Sequence, residues 1–275
     1  MKKGKESKNN HKIDIHNLKE IKEKKSFKTT IYLVLRILVI ITAVRQFFNG
    51  NYSAVFLCGL TLILFLIPNF VEKNFNVDLP DTLEIIIYLF IFSAEILGEI
   101  NSFYLHFEYW DDMLHTLNGF LMTAIGFALI DILNKKNMFH QILSPVFVCL
   151  MAFSFSMTTG VVWEFVEYGI DQYLGFDMQK DTVLDSITSI DFDETKSNTP
   201  ITIPIKSLEI NGEDWTNSEF PGGYLDIGLH DTMSDLFVNF IGAIIFCFIG
   251  WFYLVGENKA AESFIPKRVV KQKNE

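Results

Sequence analysis

Cysteine and proline are scarce in this chain of 275 residues, which holds 3 of the first and 7 of the second. Cys58, Cys149 and Cys247 all fall inside apolar runs, so the polar part of the chain has neither a disulfide framework nor a CxxC metal knuckle. No proline interrupts the middle of an apolar run, which leaves long helices open to form. The usual catalytic signatures are missing too. There is no HExxH, no GxSxG, no P-loop and no dinucleotide fingerprint, and no Ser with an evident His–Asp pattern. No internal repeat is visible.

What the chain has instead is apolar length. It is 49% hydrophobic and contains 27 Phe. A membrane-spanning helix needs about 20 mostly apolar residues. Six runs qualify, roughly 30–48, 52–71, 82–101, 113–133, 143–167 and 232–255. The reading is an all-α membrane protein of six transmembrane helices, with a membrane domain over 29–255.

Positive charge is nearly absent from one set of connections. The tail 1–28 carries ten Lys, and Lys73, Lys135, Lys136 and the tail 256–275 lie on the same side. The opposite side has only Lys180, Lys196 and Lys206. Lys and Arg favour the cytoplasmic side, so both termini are expected there, in a multi-pass protein of the cell membrane. The Lys-rich tail suits a topology signal and anionic lipid. No aromatic interleaving supports nucleic-acid binding. The first run is long, contains Arg36 and follows a charged tail, so it reads as a retained span rather than a cleaved signal.

Punctuation along the chain is local. Asn49-Gly50 marks a tight turn. Asp81 reads as an N-cap with Glu84 three residues on, and Ser144-Pro145 opens the fifth span. Some helix is expected around 13–25. The insertion 176–228 is extracytoplasmic and expected to be β-rich. Ile201, Ile203 and Ile205 alternate with polar neighbours, and Asn211-Gly212 signals a hairpin. The stretch 182–192 can supply another strand.

Polar residues inside the spans fall on helical faces. Asp111, His115 and Asn118 are spaced i, i+4, i+7, as one helix face requires. Glu164, Glu167 and Asp171 form a second stripe, and Asp231, Asp235, Asn239 and Gly242 a third. Span polarity puts all three stripes in the outer half of the membrane. Asp111, Asp112, Asp171 and Asp231 sit at helix ends, where a carboxylate is commonly a solvated cap. Asp235 and Asn239 lie roughly 6 and 12 Å deeper than Asp231 at about 1.5 Å per residue, beyond the reach of capping. Ionisable residues inside a span are costly and mark sites or polar networks.

The catalytic candidates are therefore His115, Glu164, Glu167 and Asp235, with Asp111, Asn118, Asp231 and Asn239 as binding candidates. His115, Glu164 and Asp235 form a donor set for a hard or borderline divalent cation, and would equally serve as a general acid/base pair. Structural packing competes with function: Asn118-Gly119 and Asn239 with Gly242 would let two helices approach closely. Glu95 and Glu99 are expected to neutralise Arg45. Trp110, Trp163 and Tyr168 read as interfacial residues.

The three motifs together resemble the YjdF-like family of uncharacterised bacterial integral membrane proteins. The matching residues are Asp111, His115 and Gly119; Trp163, Glu164 and Glu167; and Asp231, Asp235, Asn239 and Gly242, over roughly 80–255. A more distant similarity is to VanZ-like membrane proteins, whose E-x-x-Q stands as E-x-x-E here. The resemblance implies a membrane location and carries no established activity. The expected function is an outer-leaflet site for a lipid-linked substrate or a divalent cation, with membrane lipids as partners. Proton- or cation-coupled transport and a non-enzymatic scaffold are the alternatives.

Overall fold

The computed structural model describes residues 27–75, 77–135, 143–175, 177–214, 222–256 and 261–268. Most of the Lys-rich tail, the expected helix around 13–25, the linker after Lys135 and residues 215–221 lie outside that set. The chain packs as two units, residues 1–157 with 238–275, and residues 158–237.

The first unit is helical. Helix α1 (Phe27–Phe48) stops at Asn49-Gly50, where Gly50 takes φ +73°. Asn51 then caps α2 (Tyr52–Leu64), accepting from the Ala54 N–H at 3.0 Å. A break at Phe65 and Leu66 precedes α3 (Ile67–Phe75). Pro68 has no N–H to offer the Leu64 carbonyl, and the chain tightens there, with the Leu66 N–H donating to the Ile63 carbonyl at 2.9 Å. Strand β1 (Val77–Asp78) leads into α4 (Asp81–Phe92). Pro80, not Asp81, is the N-cap, and no side chain caps this end. The expected capping box is replaced by an ion pair: the Lys28 ammonium lies 2.8 Å from Asp81 and also contacts Glu84.

The third expected span, 82–101, is not a uniform α-helix. Past α4 the backbone widens into a π-helical segment, Ser93–Ile100, which holds Glu95 and Glu99 and leads to the short α5 (Phe103–His106). Among the described residues neither glutamate is ion-paired with Arg45, contrary to expectation. Then come α6 (Trp110–Lys135), α7 (Pro145–Leu174) and α8 (Leu229–Gly256). Ser144 opens α7 as expected, its hydroxyl accepting from the Phe147 N–H at 3.3 Å. Among the described residues five helices, Phe27–Phe48, Tyr52–Asn74, Trp110–Ile130, Pro145–Leu174 and Leu229–Gly256, are long and apolar enough to cross a membrane. Phe48, Phe56 and Phe248 are each more than 60% exposed, an outward surface suited to hydrocarbon rather than water.

The C-terminal segment is no loose tail. Strand β8 (Lys267–Arg268) pairs antiparallel with β1, Val77 facing Arg268. Ile265 is fully buried in a cluster with Leu83, Leu121, Phe127 and Phe246. Residues 77–78 and 267–268 are therefore neighbours in this unit.

In this unit α6 and α8 touch backbone to backbone. A Cβ on Gly119 would come within 2.0 Å of the Asn239 carbonyl oxygen, and one on Gly242 within 1.9 Å of the Thr116 carbonyl oxygen. Only hydrogen fits at either position, which is the small-residue packing that apolar helices use in lipid.

The second unit holds the C-terminal part of α7, three strand pairs and the start of α8. Strand β2 (Thr182–Leu184) pairs with β7 (Tyr224–Asp226), β3 (Ser186–Ser189) with β4 (Ile201–Pro204), and β5 (Glu209–Ile210) with β6 (Glu213–Asp214). The β5–β6 turn is Asn211-Gly212 with φ of 53° and 83°, the positive-φ pair of a type I′ hairpin. Asp193 organises the loop after β3. Its carboxylate accepts from the hydroxyls of Thr195 at 2.5 Å and Ser197 at 2.8 Å, and from the N–H groups of Thr195, Ser197 and Thr199. Those two hydroxyls, helped by the backbone donors, hold the Asp193 carboxyl well below the usual carboxylate range.

Two outcomes follow. Gly242→Ala forces α8 away from α6 and should destabilise the protein by at least the ~1–3 kcal/mol of an overpacked core, read as a lower midpoint of thermal unfolding in detergent. An unchanged midpoint would contradict the close contact. For Asp193, a depressed native pKa stabilises the folded loop above the unfolded value of about 3.9, and that contribution fades as pH falls below it. Amide protection at Thr195, Ser197 and Thr199, corrected for intrinsic exchange, should therefore drop between about pH 5 and pH 2. Asp193→Asn should show the low protection at every pH.

Candidate functional site

The polar stripes sort by unit. In the first, His115 is buried, one turn after Asp111 on α6, with its Nε2 3.6 Å from an Asp111 oxygen. One turn further, the Asn118 amide donates to the Asn239 side-chain oxygen at 3.4 Å. Asn239 is almost fully buried and donates in turn to the Met157 sulfur at 3.6 Å. The Gly119 carbonyl accepts from Thr123 at 2.6 Å and from Ser156 at 2.9 Å. Asn118 and Asn239 thus serve as polar ties at a tight helix crossing, where each hydrogen bond contributes roughly 1 kcal/mol. Thr123, Ser156 and Met157 belong to this network and were not apparent from the stripes. Their signal is weak, because Thr and Ser inside an apolar helix commonly satisfy only their own helix's carbonyls.

In the second unit, α7 and α8 bring three carboxylates together. Glu164, Glu167 and Asp235 are buried, at 4%, 7% and 2% exposure. Each offers an oxygen within 4.8 Å of the others. Glu164 and Glu167 are one turn apart on α7, so they face the same way, and Asp235 enters from α8. Asp231 lies one turn before Asp235 and offers an oxygen within the same 4.8 Å of it.

The carboxylates at the helix ends do other work. Asp171 accepts from the N–H groups of Met178 at 2.7 Å and Gln179 at 2.8 Å. Asp231 accepts from the Lys180 N–H at 2.8 Å, and the Gln179 amide donates to the Thr232 hydroxyl at 2.6 Å. Asp226 accepts from the His230 N–H at 2.7 Å, at the start of α8. Residues 178–180 are therefore strapped onto the ends of α7 and α8 by side chains, which holds those two ends in register. Beside the strap, a cavity of about 290 Å³ is lined by Asp171, Asp177, Asp181, Gln179, Leu225 and Ile227. Burial, and then the charges of Asp177, Asp226 and Asp171, push the Asp181 carboxyl above its ordinary range. Asp112 stands apart from these sets, its carbonyl accepting from the Thr116 hydroxyl at 2.7 Å.

Chemically, three carboxylate oxygens are a hard donor set. Oxygens bound to one Ca²⁺ at about 2.3–2.6 Å lie at most about 5 Å apart, so the spacing fits a shared ion. With protons in place of a metal, the same trio is a proton-sharing cluster. Residues Glu164, Glu167 and Asp235 would hold the ion, which would supply positive charge to an anionic ligand.

Comparison with known proteins agrees with the membrane character. An uncharacterised protein of Thermotoga maritima is 30% identical over 124 residues, which is 44% of this chain and 62% of that protein's length. No solved structure matches the chain. The sequence pattern of one family, described as a predicted membrane protein, matches residues 28–256, most of the chain, and the chain belongs to that family, DUF2238.

Proposed function

We propose that this protein holds a divalent cation through Glu164, Glu167 and Asp235 in the outer leaflet of the bacterial cell membrane, and uses it to bind the anionic head of a lipid-linked molecule. The observation that carries the reading is the trio of buried carboxylates within 4.8 Å of one another. Like charges so placed repel one another, and a cation among them relieves that repulsion. The helical-face spacing in the sequence adds His115 as a further ligand, and that assignment rests on sequence alone. The chain is read as a multi-pass protein of six spans with both termini cytoplasmic, related to the YjdF-like proteins and more remotely to the VanZ-like ones. The third expected span, 82–101, is kept in that count with its π-helical half, Ser93–Ile100.

A second reading, proton- or cation-coupled transport, draws on that same π-helical segment, since interrupted spans with acidic residues are a feature of transporters. Divalent-cation flux into proteoliposomes separates it from a closed binding site.

A divalent cation should raise the thermal midpoint of the detergent-purified protein. A ligand at 100 times its Kd stabilises by about 2.7 kcal/mol, roughly 5–10 °C for a chain of this size. Glu164→Ala and Asp235→Ala should each abolish the increase with helix content intact. If Mg²⁺, Ca²⁺, Mn²⁺ and Zn²⁺ all leave the midpoint unchanged, the metal reading fails.

Topology is tested in a cysteine-free background. Ser197→Cys should react with a membrane-impermeant maleimide on intact cells, while Lys271→Cys should react only after permeabilisation. The reverse pattern would invert the orientation.

A further inference from the structure

The cysteine pair belongs to neither the carboxylate trio nor the helix-end strap. Cys149 on α7 and Cys247 on α8 are 98 residues apart in sequence, yet each thiol donates to the other residue's backbone carbonyl, at 3.5 Å and 3.4 Å. Such reciprocity requires the two residues to stand directly opposite one another at the helix crossing. Around them the packing is apolar, with Val148, Ala152 and Phe246 at 0% exposure, while Cys247 itself is only half-buried. Cys58 sits in a different cluster, with Val39, Phe65 and Ile96, and takes no part.

We infer that Cys149 and Cys247 form a redox-active dithiol whose oxidised form is a disulfide stapling α7 to α8. In the step, both S–H bonds break and one S–S bond forms. Two electrons and two protons pass to the oxidant, which is a lipid-soluble benzoquinone reduced to its hydroquinone. A quinone suits the site because the surroundings are apolar and a charged oxidant would enter poorly. A disulfide forms without backbone movement only where the two Cβ atoms can come within about 3.5–4.5 Å, and the reciprocal thiol–carbonyl bonds bring these two side chains side by side. The bridge would close a loop of about 100 residues, the regime in which a cross-link restricts the unfolded chain most.

The experiment uses the full chain in detergent and in lipid vesicles. Protein is treated with a short-chain benzoquinone, or left reduced, then denatured and alkylated with N-ethylmaleimide, and its intact mass is measured. With 3 cysteines in the chain, reduced protein should carry three adducts and oxidised protein one, on Cys58. Peptide mapping should recover a Cys149–Cys247 cross-link, and dithiothreitol should restore all three adducts. The oxidised wild-type protein should unfold on the order of 10 °C higher than the reduced protein. Cys247→Ser should keep both remaining thiols alkylatable after oxidation; if that variant misfolds, the wild-type mass shift and peptide map decide alone. Three adducts after quinone in both media, a disulfide through Cys58, or cross-links between chains would overturn the inference.

Discussion

Much of the helical unit depends on two places where a side chain cannot exist. The carbonyl oxygens of Thr116 and Asn239 occupy the space that a Cβ on Gly242 or Gly119 would need. In a membrane, helices gain no hydrophobic drive from meeting one another, so dispersion at close range and interhelical hydrogen bonds must hold them. The glycines provide the first, and the Asn118–Asn239 bond and the Gly119 carbonyl provide the second.

The acidic residues then divide by what they bond. Asp171, Asp226 and Asp231 accept backbone N–H groups at the ends of α7 and α8, and Asp193 does the same for its loop. Each orders a segment whose amides would otherwise need water. Glu164, Glu167 and Asp235 are of another kind. They sit away from the helix ends, buried and close together, where a carboxylate is expensive and helix capping gives no reason for it. That cost is why they are proposed as a ligand set, while Asp171 serves as a strap. Asp231 belongs to both descriptions, bonded to Lys180 and near Asp235.

The sequence carried much of this pattern, and the parts it carried were periodic or local. The stripe Asp231, Asp235, Asn239, Gly242 follows from helical spacing, and Asn239 with Gly242 is as much a packing signal as a functional one. Asn211-Gly212 and Ser144-Pro145 acted as their local chemistry dictates. What was not legible depended on partners distant in sequence. Asp81 and Glu84 looked like a capping box until Lys28 claimed both. The segment 261–268 looked like a free tail, because its docking depends on a pairing with residues 77–78 and on burial of one Ile265. The π-helical turn at Ser93–Ile100 follows no composition rule, and the break at Phe65 and Leu66 needed Pro68 to be read as a kink rather than a span end.

The proposed function stands on one cation being shared by Glu164, Glu167 and Asp235. Electron paramagnetic resonance of Mn²⁺ titrated into purified, chelator-treated protein tests it most directly, because free and bound Mn²⁺ give separable signals. Saturation is expected at one Mn²⁺ per chain at these residues, lost in the Glu164→Gln, Glu167→Gln, Asp235→Asn variant and retained in Asp171→Asn. No bound signal in the wild-type protein, or one that survives the triple substitution, would contradict it.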